Sequence, residues 1–391
     1  MILLSLLCLV LTTLVIVELS AGFAGLAALK DYNGVPHHGT AVSVIVPACN
    51  EEDKIEAGLR SLVSQDYQQL EIIVVNDRST DGTAESIDRV REEFPQIHRL
   101  DIEKLPEGWL GKPHALQRGA KVASGDYLLF TDADVMLEPT TISRALAAMK
   151  ERRLDHLALV FKNITSGGLL NAIVADIGAG LMWILKPWKA QIADSRYFVG
   201  VGAFNMVRAN VYREIGQHEQ VRMQVIDDLF LGKLIKRGKY RQECLDGRGF
   251  VDVPWYCSVS ELIEGLMKNV YAFFNYTLGY MAAGFLAISV IVVLPYWGVL
   301  FTDGATRICF ICTLVARVVG IGIGLISSGV EKRASVWLLI TPFFMLYIIL
   351  KATILALVRG GISWRGSFYP MRSLRKQEWV LSGLFKMQAG T

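Results

Sequence analysis

Tyr127-Leu-Leu-Phe-Thr-Asp-Ala-Asp-Val135 joins a short apolar run to two carboxylates spaced two residues apart. Apolar on successive residues, the run reads as a buried strand of a parallel sheet, whose two faces are both covered. Asp132 and Asp134 then leave it at its C-terminal edge, where open α/β sheets bind their ligands. Two carboxylates there suit a divalent cation whose remaining ligands are diphosphate oxygens and water. Asp-X-Asp also occurs in ordinary surface turns, so its meaning depends on its surroundings.

Upstream, the β-branched run Val42 to Val46 ends in Pro47-Ala48-Cys49-Asn50-Glu51-Glu52 and leads into a helix with Ile55, Leu59 and Leu62 on one face. Leu70 to Val75 repeats the scheme and ends in Asn76-Asp77-Arg78-Ser79-Thr80-Asp81-Gly82-Thr83, where Thr80 or Asp81 can cap the helix Ala84 to Glu93. A third strand is expected near Ile97 to Ile102, and a helix over Pro113 to Ala123 before the opening strand. Alternating strands and helices imply parallel pairing with right-handed crossovers. Three strand ends thus bring acidic groups to one edge.

Just before that strand, Gly108-Trp109-Leu110-Gly111-Lys112-Pro113-His114 places Lys112 at a helix start, where it can carry positive charge to a phosphate. Downstream, Gly200 and Gly202 within Tyr197 to Val207 let another backbone approach closely. A helix then begins near Ile226-Asp227-Asp228, with Leu229, Leu231, Leu234 and Ile235 as its apolar stripe. One carboxylate at a helix start is expected from the macrodipole; the second reads as a working base.

The chain has 391 residues, of which 52% are hydrophobic. Four apolar stretches exceed the roughly 20 residues needed to cross a bilayer: Ile2 to Leu29, Thr277 to Phe301, Ala305 to Ser328 and Ala334 to Val358. The expected organisation is an N-terminal anchor over 1–30, a soluble α/β domain over 31–257, and an amphipathic interfacial helix over 258–276. A transmembrane region of about three helices over 277–358 and a basic tail over 359–391 follow. With no basic segment ahead of the first apolar run and Lys30 behind it, the anchor reads as uncleaved with the domain cytosolic. Glu18 inside it reads as a helix contact. Leu169 to Trp188 is nearly long enough to cross, but a crossing there would part Asp132 and Asp134 from Asp227 and Asp228. It is therefore expected either in the membrane interface or buried in the domain. Three crossings after the domain would put the tail outside, whereas Arg359, Arg365, Arg372, Arg375 and Lys376 call for the inside. A segment that is re-entrant or bound to lipid phosphate, such as that carrying Arg307 and Arg317, would reconcile the two.

A net charge of +3 is too small to argue for nucleic acid, and no basic stripe interleaved with aromatics appears in the soluble block, so no nucleic-acid partner is expected. The six cysteines are scattered, and Cys309-X-X-Cys312 inside an apolar helix reads as packing rather than metal or redox chemistry.

Val46-Pro-Ala-Cys-Asn-Glu51, Asn76-Asp-Arg-Ser-Thr-Asp-Gly-Thr83, Thr131-Asp-Ala-Asp134 and Ile226-Asp-Asp228 together resemble the family 2 glycosyltransferases. Gly108-Trp-Leu-Gly-Lys112, the membrane segments and Gly361 to Tyr369 resemble its lipid-modifying branch, which includes ceramide glucosyltransferases and hopanoid- and carotenoid-associated enzymes. The resemblance implies a GT-A fold, a Rossmann-like mixed α/β sheet, carrying an N-terminal anchor and C-terminal transmembrane helices. It implies that Pro47, Ala48, Glu51 and Asp77 hold the nucleoside of a nucleotide-sugar donor, with a UDP-sugar as the expected class. Lys112 would meet the phosphates, Asp132 the nucleotide and sugar, and Asp134 an Mg²⁺ or Mn²⁺ ion. Gly202 and Asn205 would border donor sugar and acceptor. Asp228 aligns with the catalytic base, and Asp227 stands where Glu is commoner. The implied reaction is inverting transfer of one sugar to a lipid hydroxyl, at the cytosolic face of the cell's inner or plasma membrane. A processive polysaccharide synthase and a non-catalytic nucleotide-sugar-binding scaffold are the alternatives. Where many relatives carry Gln-X-X-Arg-Trp, this chain reads Gly265-Leu-Met-Lys-Asn269: Lys268 can replace the Arg, but no Trp follows.

Overall fold

The structure, a computed structural model, describes residues 1–34, 39–364 and 367–385; Arg365 and Gly366 of the tail lie outside them. After helix α1 (Ile2–Ala24), the domain runs β1 (Val42–Ala48), α2 (Ile55–Val63), β2 (Leu70–Asp77), α3 (Thr83–Glu93), β3 (Ile97–Ile102), α4 (Gly111–Val122) and β4 (Tyr127–Phe130). It continues through β5 (Met136–Leu137), α5 (Thr141–Glu151), β6 (His156–Val160), β7 (Lys162–Asn163), α6 (Gly168–Leu185), β8 (Asn205–Arg208), α7 (Ala209–Glu214), α8 (Asp227–Arg237), β9 (Gln242–Asp246) and β10 (Val251–Val253). Beyond it come α9 (Val259–Phe273), α10 (Leu278–Ile288), α11 (Leu294–Phe301), α12 (Gly304–Ser327) and α13 (Thr341–Arg359). The hairpin β11 (Gly361–Trp364) and β12 (Ser367–Pro370), then α14 (Met371–Arg375) and α15 (Ser382–Phe385), close the chain.

The main sheet has the order β3-β2-β1-β4-β8-β6-β9. β1 pairs in parallel with β2 from Val42↔Leu70 to Ala48↔Asn76, and with β4 from Val42↔Tyr127 to Ile45↔Phe130. All seven residues of β1 and all four of β4 are buried, as strands covered on both faces must be. This register opens the ends of β1, β2 and β4 on one edge. Beyond β4 the sheet turns mixed: β8 is antiparallel to both β4 and β6, and Phe130↔Asn205 brings the segment before β8 to the same edge. Helices α2, α3 and α5 cover one face through Ile55, Leu59, Leu62, Ile87, Val90 and Leu146, all nearly inaccessible. Leu116 of α4, Val211 and Tyr212 of α7 and Leu231 and Ile235 of α8 cover the other. Each such large apolar side chain contributes roughly 1.5–3 kcal/mol on burial.

Five helices are long and apolar enough to cross a membrane: Ile2–Ala24, Gly168–Lys189, Leu278–Phe301, Gly304–Ser327 and Thr341–Arg359. α6, which the sequence reading left between interface and core, is one of them. It leaves the domain directly after β7, and Ala190 beyond its end packs with Ala158, Val160 and Cys244 of the sheet. Both ends therefore adjoin the domain. Its middle carboxylate Asp176 binds Arg317 of α12 and accepts from Thr341 Oγ1 at 2.6 Å. At its far end, Lys186 Nζ lies 2.5 Å from Glu18 of α1.

Segment α12, with Arg307 and Arg317, is an unbroken helix of 24 residues. It is followed by the 3₁₀ stretch Lys332–Leu339 and α13. Arg248 of the domain donates to Ser328 Oγ at 3.4 Å just before them, and Arg78 to Ser367 Oγ at 3.2 Å just after them.

Candidate functional site

The loops after β1 and β2 interlock, which explains their polar composition. Asn50 N donates to Ser79 Oγ at 3.1 Å, Glu51 N to Thr83 Oγ1 at 2.8 Å, Thr80 N to Asn50 Oδ1 at 2.8 Å and Gly82 N to Glu52 Oε2 at 2.6 Å. Asn50 and Arg78 both adopt positive φ, 56° and 55°, turning the chain sharply at each strand end. Pro47 and Ala48 are buried beneath these loops. Asp77, 3% exposed, is gripped by Arg78, whose Nε donates to Oδ1 at 2.7 Å and Nη2 to Oδ2 at 2.9 Å.

Lys112 occupies the first turn of α4, and its Nζ lies 2.5 Å from Asp132 Oδ1. Burial disfavours this ammonium, yet Asp132, Asp227 and Asp228 together hold its pKa above the ordinary lysine value. A Cβ built on Gly202 would stand 2.9 Å from Asp132 Oδ2, 3.3 Å from Lys112 Nζ and 3.4 Å from Asp228 Oδ2. Three charged groups from β4, α4 and α8 therefore converge on one glycine. Gly200 makes the close approach its type foretold: a Cβ there would collide with the Asp228 carbonyl.

The two acids of α8 face different ways. Asp228 is partly exposed, with Gly202 and Leu229 amides hydrogen-bonding it, and burial raises its pKa. Asp227 is 2% exposed, lies 4.0 Å from His218 Nε2, and is likewise pushed up by burial and by Asp228. His218 is held neutral, its pKa pushed down to about 3 by burial and Lys112. Tyr212 Oη lies 2.7 Å from His218 Nδ1. No sequence signal pointed to this Tyr212–His218 pair. Asn205 is 2% exposed and its amide oxygen is taken by buried His156, so its side chain serves the sheet as well as bordering the site.

On the other side of Asp132, burial, Asp132 and Glu51 push Asp134 up to about 6, while Lys54 Nζ lies 3.9 Å away. Such crowding of carboxylates suits a divalent cation, which would relieve it. Among the described residues no three His, Cys, Asp or Glu side chains are clustered to hold an ion unaided; a diphosphate would have to complete the ligand set.

One cavity of about 1930 Å³ joins these groups to the helices. Its polar end is lined by Glu51, Asp77, Lys112, Asp132, Asp134 and Asp228. Its apolar end is lined by Ile16 and Leu19 of α1, Met182 of α6, Ile288 of α10, Ile291 within a π-turn (Ser289–Val293), and Ile321 of α12. The Trp absent after Lys268 in sequence arrives in space: Lys268 Nζ sits 4.0 Å from the ring centre of Trp364 on the β11–β12 hairpin, and both line the cavity.

A mixed α/β sheet with an acidic edge of this construction is the GT-A type of nucleotide-sugar transferase fold. Residues 43–216 match the family model Glycosyl transferase family 2, the segment that holds the loops after β1, β2 and β4. The chain is 27% identical over 238 residues to the 4,4'-diaponeurosporenoate glycosyltransferase of Staphylococcus haemolyticus, covering 59% of this chain and 61% of that one. It is 40% identical over 160 residues to the probable glycosyltransferase YdaM of Bacillus subtilis, covering 40% and 37%. The chain thus spans less than two thirds of the length of these relatives. Among solved structures, a Pyrobaculum calidifontis mannosyltransferase in complex with GDP-Man and Mn²⁺ superposes with a TM-score of 0.48 at 16% identity, covering 88% of this chain and 99% of that one.

Proposed function

We propose that the protein transfers a single sugar, with inversion, from a nucleotide-sugar donor of the UDP class to a hydroxyl of a membrane lipid. The observation that carries this reading is the continuous cavity, acidic at the domain and apolar between α1, α6, α10 and α12. A lipid could lie in its apolar end with its hydroxyl at the acidic end.

In this mechanism the loop of Pro47, Ala48 and Glu51 and the Asp77 carboxylate bind the nucleoside, and Lys112 offsets diphosphate charge. Asp132 orients the donor against Lys112. Asp228 accepts the acceptor hydroxyl's proton as that oxygen bonds to the anomeric carbon. The bond from that carbon to the diphosphate breaks on the opposite face, its electron pair leaving with the nucleoside diphosphate. Asp227, buried behind Asp228, supports it. A bound Mg²⁺ or Mn²⁺, held by Asp134 and the diphosphate, would neutralise the leaving group's charge.

On this reading α1, α10–α11 and α12 cross the membrane, and residues 332–359 dip in and return. The domain over 31–257, the interfacial helix and the tail from 359 share the cytosolic side, which the basic tail also favours. An apolar rather than polar lining favours a lipid over a growing polysaccharide.

The test is purified protein incubated with a total lipid extract and a panel of radiolabelled UDP- and GDP-sugars. Wild type labels lipid, whereas Asp228→Asn binds nucleotide normally and transfers nothing. Transfer by that variant would refute the base assignment.

A further inference from the structure

The chain after α13 does not trail away; it returns to grip the helix that carries Asp227 and Asp228. Lys233, on α8 and only 3% exposed, lies 2.9 Å from Glu378 Oε1, and donates to the Trp379 carbonyl at 2.8 Å and to Ser382 Oγ at 2.9 Å. Arg237, one turn on, donates from Nη1 to Glu378 Oε2 at 2.6 Å. Gln224 Nε2, just before α8, donates to the Glu378 carbonyl at 2.9 Å. Val380, Leu381 and Leu384 pack against Leu229 and Phe230, the residues that follow the acid pair. The same segment is fixed on its other side to the membrane-facing helices. Trp379 Nε1 donates to the Phe273 carbonyl of α9 at 2.9 Å, and its ring stacks on Tyr280 of α10 at 4.8 Å. Trp379 and Leu381 also line the cavity.

A lysine this deeply buried needs its counter-charge. Although burial opposes it, Arg237 and Lys233 pull the Glu378 carboxyl down to about 2, so the pair stays ionised. An ionised, multiply hydrogen-bonded contact fixes direction more tightly than apolar packing does. α8 can rotate little about its axis while Glu378 holds both Lys233 and Arg237.

We infer that Glu378 and Lys233 are positioning residues for the acid pair: the C-terminal segment 376–385 braces α8 against α9 and α10, setting Asp228 relative to a lipid in the cavity. This rests on the proposed transfer to lipid, but half of its test does not. Hydrogen–deuterium exchange is measured on full-length wild type and Glu378→Gln in lipid nanodiscs. Faster exchange at 226–237 with unchanged exchange in β1 and β4 is expected; unchanged exchange at 226–237 overturns the brace. In the transfer assay, kcat of the variant falls about 10- to 100-fold while the donor KM stays at its wild-type value; wild-type kcat overturns the positioning role.

The double variant Lys233→Met/Glu378→Met orphans no buried charge and keeps the fold. It remains slow if the charged brace positions the base. Wild-type turnover by the double variant would show that the pair merely avoids an unpaired charge, and would overturn the inference. If wild type itself transfers no sugar, the proposed function fails while the exchange comparison still decides the brace.

Discussion

Replacing Gly202 by alanine should separate the chemistry of the site from its architecture. The new methyl would lie 2.9 Å from Asp132 Oδ2, against the 3.4 Å at which ordinary contact begins, so that carboxylate must recede by about half an ångström. Asp132 can do so, because its side chain is 39% exposed and not locked in the core. The fold therefore loses only about 0.5 kcal/mol. The cost falls on geometry: Asp132, and with it Lys112, is displaced relative to Asp228 at the point where donor and acceptor meet. Since misplacement by about 1 Å can cost roughly 100-fold, half of that predicts a loss of about tenfold in kcat. Gly200→Ala is the control with the opposite signature. Its methyl would overlap the backbone carbonyl of Asp228, which cannot swing aside, so overpacking of about 1–3 kcal/mol lowers the Tm. Differential scanning fluorimetry and initial-rate transfer on both variants test this. Wild-type kcat in Gly202→Ala, or a wild-type Tm in Gly200→Ala, would refute the convergence of the three groups on this loop.

Other expectations follow from the helices and the tail. Arg317→Met leaves Asp176 buried without its cation and should destabilise by about 3–5 kcal/mol, seen as a lowered Tm in detergent, while Arg317→Met/Asp176→Asn recovers most of the loss. Gly180 lines the cavity and has open space where its Cβ would stand. Gly180→Trp should therefore raise the KM for lipid at least several-fold and leave nucleotide affinity, measured by calorimetry, unchanged. Because the Glu378 carboxyl is held at about 2 in the folded protein, below its unfolded value, its stabilisation is present above about pH 4.5 and is lost as pH falls toward 2. The difference in Tm between wild type and Glu378→Gln should shrink over that range; a constant difference would contradict the ion pair.

The domain half of the structure was legible because local pattern and long-range pairing agree there. Val42 to Val46, Leu70 to Val75 and Tyr127 to Phe130 are apolar on successive residues and end in polar loops, and all three became central parallel strands. The antiparallel β8 escaped notice: Asn205–Arg208 has four residues, and its pairing with β4 depends on partners nearly 80 positions away. α6 was ambiguous because Asp176 weighs against an apolar helix only until its partner is known. That partner, Arg317, lies 141 residues on. Similarly, Lys268 looked bereft of its tryptophan because the ring arrives from Trp364, on a hairpin beyond the last helix. The acid residues of the candidate site lie at strand and helix ends that the sequence marks; His218, Tyr212 and Glu378 are placed by tertiary contacts and left no local trace.

Product mass decides the account most directly. Purified wild-type protein in nanodiscs, supplied with the lipid extract and the donor it accepts, should yield a lipid heavier by one sugar residue, and Asp228→Asn none. A ladder of successive sugar additions, or labelled product that partitions into water rather than lipid, would contradict single transfer to a membrane lipid.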